Sequence, residues 1–233
     1  MPAQGRTGGV WTTAAALFAQ SADLRGRGGD SKGQAQSLFM QAWCLTPSRN
    51  PGSGDGREAL RLFAESSALS EKAGDPVRQG WCVYNIGWCL LPGHDRALGD
   101  WAEAETRFAE AARLGAISGD RNLRADALSQ RGSCILDGKL AFTAPAWEEA
   151  AGFWEESASL RKELRDLPGR ANCMVGRARC LAEGASRGGS WWKAGDAYAD
   201  AARASEEAGD REFLDFCNTQ REYCAENATE PVR

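Results

Sequence analysis

Residues 101–120 read WAEAETRFAEAARLGAISGD, and this stretch decides the fold. Ala104, Phe108 and Ala112 recur four apart, so they share one face of a helix. Gly119 suits the left-handed position that ends a helix. Asp120 then offers a carboxylate to the free N–H groups that open the next one. One dipeptide therefore stops one helix and starts another. Steps of 45 residues find the same signals again: Phe18, Phe63, Phe108, Phe153 and Tyr198 keep that spacing, as do Gly29-Asp30, Gly74-Asp75, Gly119-Asp120 and Gly209-Asp210. Ala14, Ala59, Ala104 and Ala194 hold the register, with Ala150 one residue late. Cys44, Cys89, Cys134 and Cys224 hold it too, with Cys180 one late. Trp101 and Trp191 are 90 apart, with Trp147 one late. Only the fourth unit departs from Gly-Asp, reading Asp166-Leu-Pro-Gly169. A one-residue insertion there would account for the late Cys180, with Asp166 capping and Pro168 in the first turn.

Each unit reads as two helices, the first from Gly-Asp to Cys-Leu, as in Asp75–Leu91, the second from there to the next Gly-Asp, as in Trp101–Ser118. The chain opens on a second-type helix (Trp11–Arg25) and closes on a first-type one (Arg211–Ala225), which predicts ten helices. Small residues at 22, 67, 112, 157 and 202 favour close helix approach. One unit cannot bury such a face alone, so stacked neighbours must complete it. The expectation is an all-α solenoid of antiparallel helix pairs: a tail at 1–8, five repeats of 45 residues over 9–225, and a tail at 226–233. Composition agrees. The 233 residues include 40 Ala and 20 Leu but only 5 Val and 3 Ile, too few β-branched side chains for a sheet core.

These residues resemble tetratricopeptide repeats, whose pattern sets a small residue in the first helix against Ala-x-x-x-aromatic in the second. The pairs are Gly87 with Ala104, Phe108 and Ala111; Gly132 with Ala150 and Phe153; and Ala178 with Ala194, Tyr198 and Ala201. The resemblance covers about residues 9–225 and implies a right-handed superhelix, but the repeat is 45 residues long, not 34. Sel1-like repeats are a close relative with similar runs, as at Ala111-Ala112-Arg113-Leu114-Gly115.

The resemblance also implies a non-catalytic scaffold that binds a partner protein or peptide on the concave face lined by the first helices. The alternative is a self-associating or regulatory module packed on another copy or a partner subunit. Positions on that face share one helical side at i, i+3, i+4 and i+7. They are aromatic in the first two units: Gln36, Phe39, Met40 and Trp43, then Trp81, Tyr84, Asn85 and Trp88. They turn polar or mixed afterwards: Asp126, Ser129, Gln130 and Ser133; Asn172, Val175, Gly176 and Arg179; Phe216, Thr219, Gln220 and Tyr223. The candidate binding residues are Phe39, Trp43, Trp81, Tyr84, Asn85, Trp88, Gln130, Asn172 and Arg179. Such a stripe is either an aromatic trough beside polar amides or packing between long helices. A version of the family clamps a carboxylate with Lys and Asn; here Asn85 and Asn172 lie on the face and no lysine joins them. Trp101, Trp147, Trp191 and Trp192 open their helices and read as wedges between units, the alternative being a row of contacts on the loop edge.

Chemistry-bearing motifs are sparse. His94 is the single histidine and no CxxC occurs, so zinc-ligand spacing is absent and no cofactor or metal is expected. Ser159-x-x-Lys162 stands mid-helix without companion motifs. No catalytic residues are assigned. Cys82 and Cys89, Cys173 and Cys180, and Cys217 and Cys224 sit seven apart, about 10.5 Å along a helix and beyond disulfide reach. Reduced, buried thiols in a cytoplasmic protein are expected. A net charge of −4 gives no reason to expect a nucleic-acid partner, and no uncharged stretch is long and apolar enough for a membrane span.

Overall fold

The computed structural model describes residues 7–47, 50, 54–92, 99–141 and 143–228. These contain ten helices and no strand: α1 Thr7–Arg27, α2 Ser31–Leu45, α3 Gly56–Lys72, α4 Pro76–Leu90, α5 Trp101–Ser118, α6 Arg121–Asp137, α7 Ala144–Glu163, α8 Leu167–Ala185, α9 Trp191–Ala208 and α10 Arg211–Ala228. His94 lies outside the described residues. The outermost helices run longer than predicted, α1 starting four residues before Trp11 and α10 ending three after Ala225. Arg25 and Arg27 sit in the last turn of α1, where positive charge complements the helix dipole.

The chain divides into two compact units, Met1–Leu123 and Arg124–Arg233. In the first, α1 packs on α2, α2 on α3, α3 on α4 and α4 on α5. In the second, α7 packs on α8, α8 on α9 and α9 on α10. Packing between chain neighbours is what a stack of antiparallel helix pairs produces. The core is made of small side chains and single large rings: Ala59, Phe63, Ala104 and Phe108 are fully buried in the first unit, Trp147, Ala150, Ala194 and Cys180 in the second.

The junctions explain the regularity. Asp30, Asp75, Asp120, Asp166 and Asp210 each accept a hydrogen bond through Oδ1 from the N–H three residues on, at 2.8–3.0 Å. The residue before each is left-handed, with φ of 74° at Gly29, 65° at Gly74, 74° at Gly119, 59° at Arg165 and 74° at Gly209. The fourth unit therefore keeps the junction and only replaces its glycine by Arg165. The one-residue insertion expected at Asp166 lies earlier, because Trp147, Ala150, Asp166 and Cys180 are all one residue late together. It falls in the connection between α6 and α7.

This shift corrects two further assignments. The 45-residue spacing makes Phe153 the equivalent of Phe108, yet it is half-buried, with the Arg131 guanidinium 3.9 Å above its ring. Trp154 takes the core place: it is 5% exposed, and a Cβ on Gly132 would meet its indole at 2.2 Å, as one on Gly87 would meet the Phe108 ring at 2.9 Å. Likewise Ser157 aligns with the fully buried Ser66 and not with the half-buried Ser67. Ser66 Oγ donates to the Ala35 carbonyl at 2.7 Å and sits 3.2 Å from Cys82 Sγ. Ser157 Oγ does the same with the Ala125 carbonyl at 2.8 Å and Cys173 Sγ at 3.2 Å. Each hydroxyl ties its helix to the one before and the one after.

A side chain in the left-handed region costs about 1 kcal/mol that glycine avoids. The exposed Arg165 is thus a local weakness. Arg165→Gly is expected to raise stability by about 1 kcal/mol, read as a higher urea midpoint. An unchanged or lower midpoint would contradict the assignment of this junction.

Candidate functional site

In the first unit, α2 presents Phe39 and Trp43, and α4 presents Trp81, Tyr84, Asn85 and Trp88; all six are half-buried. They engage partners at edge-to-face geometry, which suits the charge distribution of aromatic rings. Trp43 meets Trp11 at 5.6 Å, Phe39 meets Phe63 at 5.4 Å, and Tyr84 contacts Trp81 at 5.4 Å, Trp88 at 6.4 Å and Phe108 at 5.4 Å. The Arg78 guanidinium lies 5.1 Å above Phe39. Trp81 also donates its indole N–H to Asp120 Oδ2 at 3.0 Å, tying α4 to the turn between α5 and α6. Asn85 donates its amide to the Trp81 carbonyl at 2.7 Å. The stripe thus both packs and leaves ring surface at the face.

In the second unit, Gln130 is half-buried on α6, whereas Asn172 and Arg179 are exposed on α8. Arg179 stands on a groove of ≈ 310 Å³ together with Trp191, Tyr198, Phe216, Gln220 and Tyr223. The groove forms because α8 and α10 both pack on α9, leaving Tyr198, 2% exposed, as its floor. Trp191 and Tyr223 form an edge-to-face pair at 5.6 Å, and Tyr198 faces Phe216 at 6.1 Å. Phe216 and Tyr223 remain 38% and 51% exposed. Arg179 lies 3.6 Å from Asp137, an exposed pair of small energetic worth.

Sequence periodicity placed Phe216, Gln220 and Tyr223 on the face but gave no sign that they enclose a groove. The register of Trp191 predicts a wedge between units. The four loop-edge tryptophans in fact diverge: Trp101 is half-buried, Trp147 is fully buried, Trp192 is 67% exposed, and Trp191 turns toward α10. A second groove, ≈ 360 Å³, runs along α7 and α9. Its charges pair with one another, Lys193 with Glu148 at 2.8 Å, and Arg177 with Glu155 at 3.5 Å and Asp200 at 3.7 Å.

The thiols are chemically quiet. All eight cysteines are free and buried. Burial pushes Cys82, Cys89 and Cys180 up to about 12 and Cys217 to about 11, so each stays protonated and weakly nucleophilic near neutral pH. Among the described residues no three His, Cys, Asp or Glu side chains are grouped to hold a metal ion.

No protein-family model matches this sequence, and no curated protein sequence matches it. Solved structures do match its fold. A Rap protein solved in complex with competence and sporulation factor superposes over 92% of this chain and 58% of its own, with TM-score 0.55 and 16% identity. The fold is a tetratricopeptide-like helical repeat. The chain spans less than two thirds of that Rap protein's length. BtubC (BKLC) from P. vanneervenii covers 96% of this chain and 94% of its own, at TM-score 0.48 and 12% identity.

Proposed function

We propose that the chain is a non-catalytic scaffold that binds a segment of a partner protein on the face of its first-type helices. The groove of the second unit carries this reading. It sets exposed Phe216 and Tyr223 and the partly covered Trp191 around Arg179 and Gln220. The aromatic anchors stand beside Arg179, Gln220 and Glu183, whose carboxylate is already paired with Lys139 and Arg187, so the groove suits an apolar side chain flanked by a carboxylate and peptide backbone. Taken by itself, the first unit carries a second such surface, half-buried Phe39, Trp43, Trp81, Tyr84 and Trp88 with Asn85 beside them. Gln130 and Asn172 belong to the same reading as amide donors. The repeat is taken as a long form of the tetratricopeptide unit, with capping aspartates 45, 45, 46 and 44 residues apart. Eight free, buried thiols support a cytoplasmic setting. No described helix is long and apolar enough to cross a membrane.

A displayed peptide library selected on the wild-type chain tests this. Enriched peptides are expected to share an apolar anchor next to an acidic residue or a free C-terminus. Phe216→Ala/Tyr223→Ala is expected to weaken them roughly 30-fold, the effect of losing an aromatic hot spot. Arg179→Glu is expected to weaken them as well, with the circular-dichroism melt unchanged. Absence of enrichment, or equal binding to all three proteins, would reject the groove as the site.

A further inference from the structure

The open face of α1 repeats, residue for residue, a face that α3 keeps covered. Ala14, Leu17, Phe18, Ser21 and Leu24 correspond, 45 residues apart, to Ala59, Leu62, Phe63, Ser66 and Leu69. In α3, Ala59, Phe63 and Ser66 are fully buried, Leu62 is 2% exposed and Leu69 is half-buried. Helix α2 helps to cover them: Phe39 meets Phe63, and the Ala35 carbonyl accepts the Ser66 hydroxyl. In α1, Leu17 and Leu24 are 60% and 67% exposed, while Ala14, Phe18 and Ser21 are half-buried. Ser21 keeps the rearward link, its Oγ lying 3.0 Å from Ser37 Oγ as Ser66 lies near Cys82. Among the described residues no helix precedes α1 to offer the carbonyl that Ala35 and Ala125 offer to Ser66 and Ser157.

We infer that this face docks a helix of a partner protein with the chemistry of α2. Such a helix carries small residues seven apart, as Ala35 and Ala42, with an apolar residue between them, as Phe39. Its face is uncharged, matching residues 7–22 of α1, which contain no Asp, Glu, Lys or Arg. Charge also argues against a second copy stacked end to end. Helix α10 is of the same type as α2 but has Asp215, Thr219 and Glu222 where α2 has Ala35, Phe39 and Ala42. By the α2–α3 pairing, docking it would set Asp215 against Ser21 and the polar Thr219 against Phe18, and would bring Asp215 and Glu222 onto a face with no Lys or Arg, a desolvation with no compensating cation.

The test is a fluorescein-labelled peptide of residues 31–45 carrying Cys44→Ser, titrated by anisotropy. Wild-type chain is expected to give saturable binding. Leu17→Glu/Leu24→Glu replaces two exposed side chains and leaves the helical circular-dichroism signal intact. It is expected to weaken binding roughly tenfold or more, as is Ala35→Glu/Ala42→Glu in the peptide. Lack of saturation, or binding indifferent to both changes, overturns the inference. So does a wild-type dimer in sedimentation equilibrium that the Leu17→Glu/Leu24→Glu chain loses, since that would give the face to a second copy.

Discussion

Trp154→Ala lowers the unfolding free energy by about 4 kcal/mol, the expected cost of removing a buried indole and leaving its cavity. Phe153→Ala, one residue away, costs only about 1 kcal/mol, in line with a half-buried ring. The contrast follows from packing. Trp154 is 5% exposed and fills the space that Gly132 and Gly176 leave open, where a Cβ would approach its indole to 2.2 and 2.5 Å. Phe153 instead lies beneath Arg131, where part of its surface stays wet. Gly132→Ala is destabilising for the same reason, because the rigid ring has no room to retreat. Urea unfolding of the two alanine variants decides the matter. Equal losses, or a larger loss for Phe153→Ala, would mean that the fourth unit keeps the uninterrupted 45-residue register.

Alkaline pH produces the second large effect. Cys82, Cys89 and Cys180 have an ordinary value of 9.0 when unfolded and are pushed up to about 12 by burial in the folded chain. Above pH 9 the unfolded chain therefore releases protons that the folded chain retains. Stability from these groups is fully present below pH 9 and is lost as pH rises toward 12. At pH 10 each thiol forfeits on the order of 1 kcal/mol, and the three together a few kcal/mol. Cys217, raised to about 11, acts in the same direction. Melting temperatures measured from pH 7 to 11 should hold level and then fall steeply beyond pH 9. The fall should be smaller in Cys82→Ala/Cys89→Ala/Cys180→Ala. A flat profile, or equal slopes for both proteins, would show that the thiols are not buried as described.

Much of the fold was legible because its determinants are local. A Gly-Asp dipeptide contains both the left-handed residue and the capping carboxylate, so Gly74-Asp75 or Gly209-Asp210 announces a junction without distant contacts. Helix type followed from Ala and Leu content and from the four-residue recurrence of Ala104, Phe108 and Ala112. The capping carboxylate marked the fourth junction as well, at Asp166, but the reasoning failed to mark its left-handed residue, Arg165, because no glycine stands there. A residue's φ is set there by the hydrogen bonds around it: Arg165 N–H reaches the Lys162 carbonyl at 3.1 Å, and Asp166 N–H reaches the Arg161 carbonyl at 2.9 Å. It failed again at Phe153 and Trp154, two adjacent aromatics over which the 45-residue spacing of Phe18, Phe63 and Phe108 and the one-residue shift of Trp147, Ala150 and Cys180 disagree. Only the space left by Gly132 and Gly176 chooses between them.

The candidate site was legible in its outline alone. Helical periodicity put Trp81, Tyr84 and Trp88 on one face because three and four residues complete a turn. It could not show that Trp81 spends its N–H on Asp120, or that Arg179, Trp191, Phe216 and Tyr223 surround one groove, because these residues come from three helices. The sequence by itself determined the all-helical class, the number of helices and most of the junctions, since backbone propensity and capping act within a few residues. Which ring fills each core position and which aromatic side chains stay open to solvent were settled only by tertiary packing, because burial depends on the neighbours a side chain meets across the gap between helices.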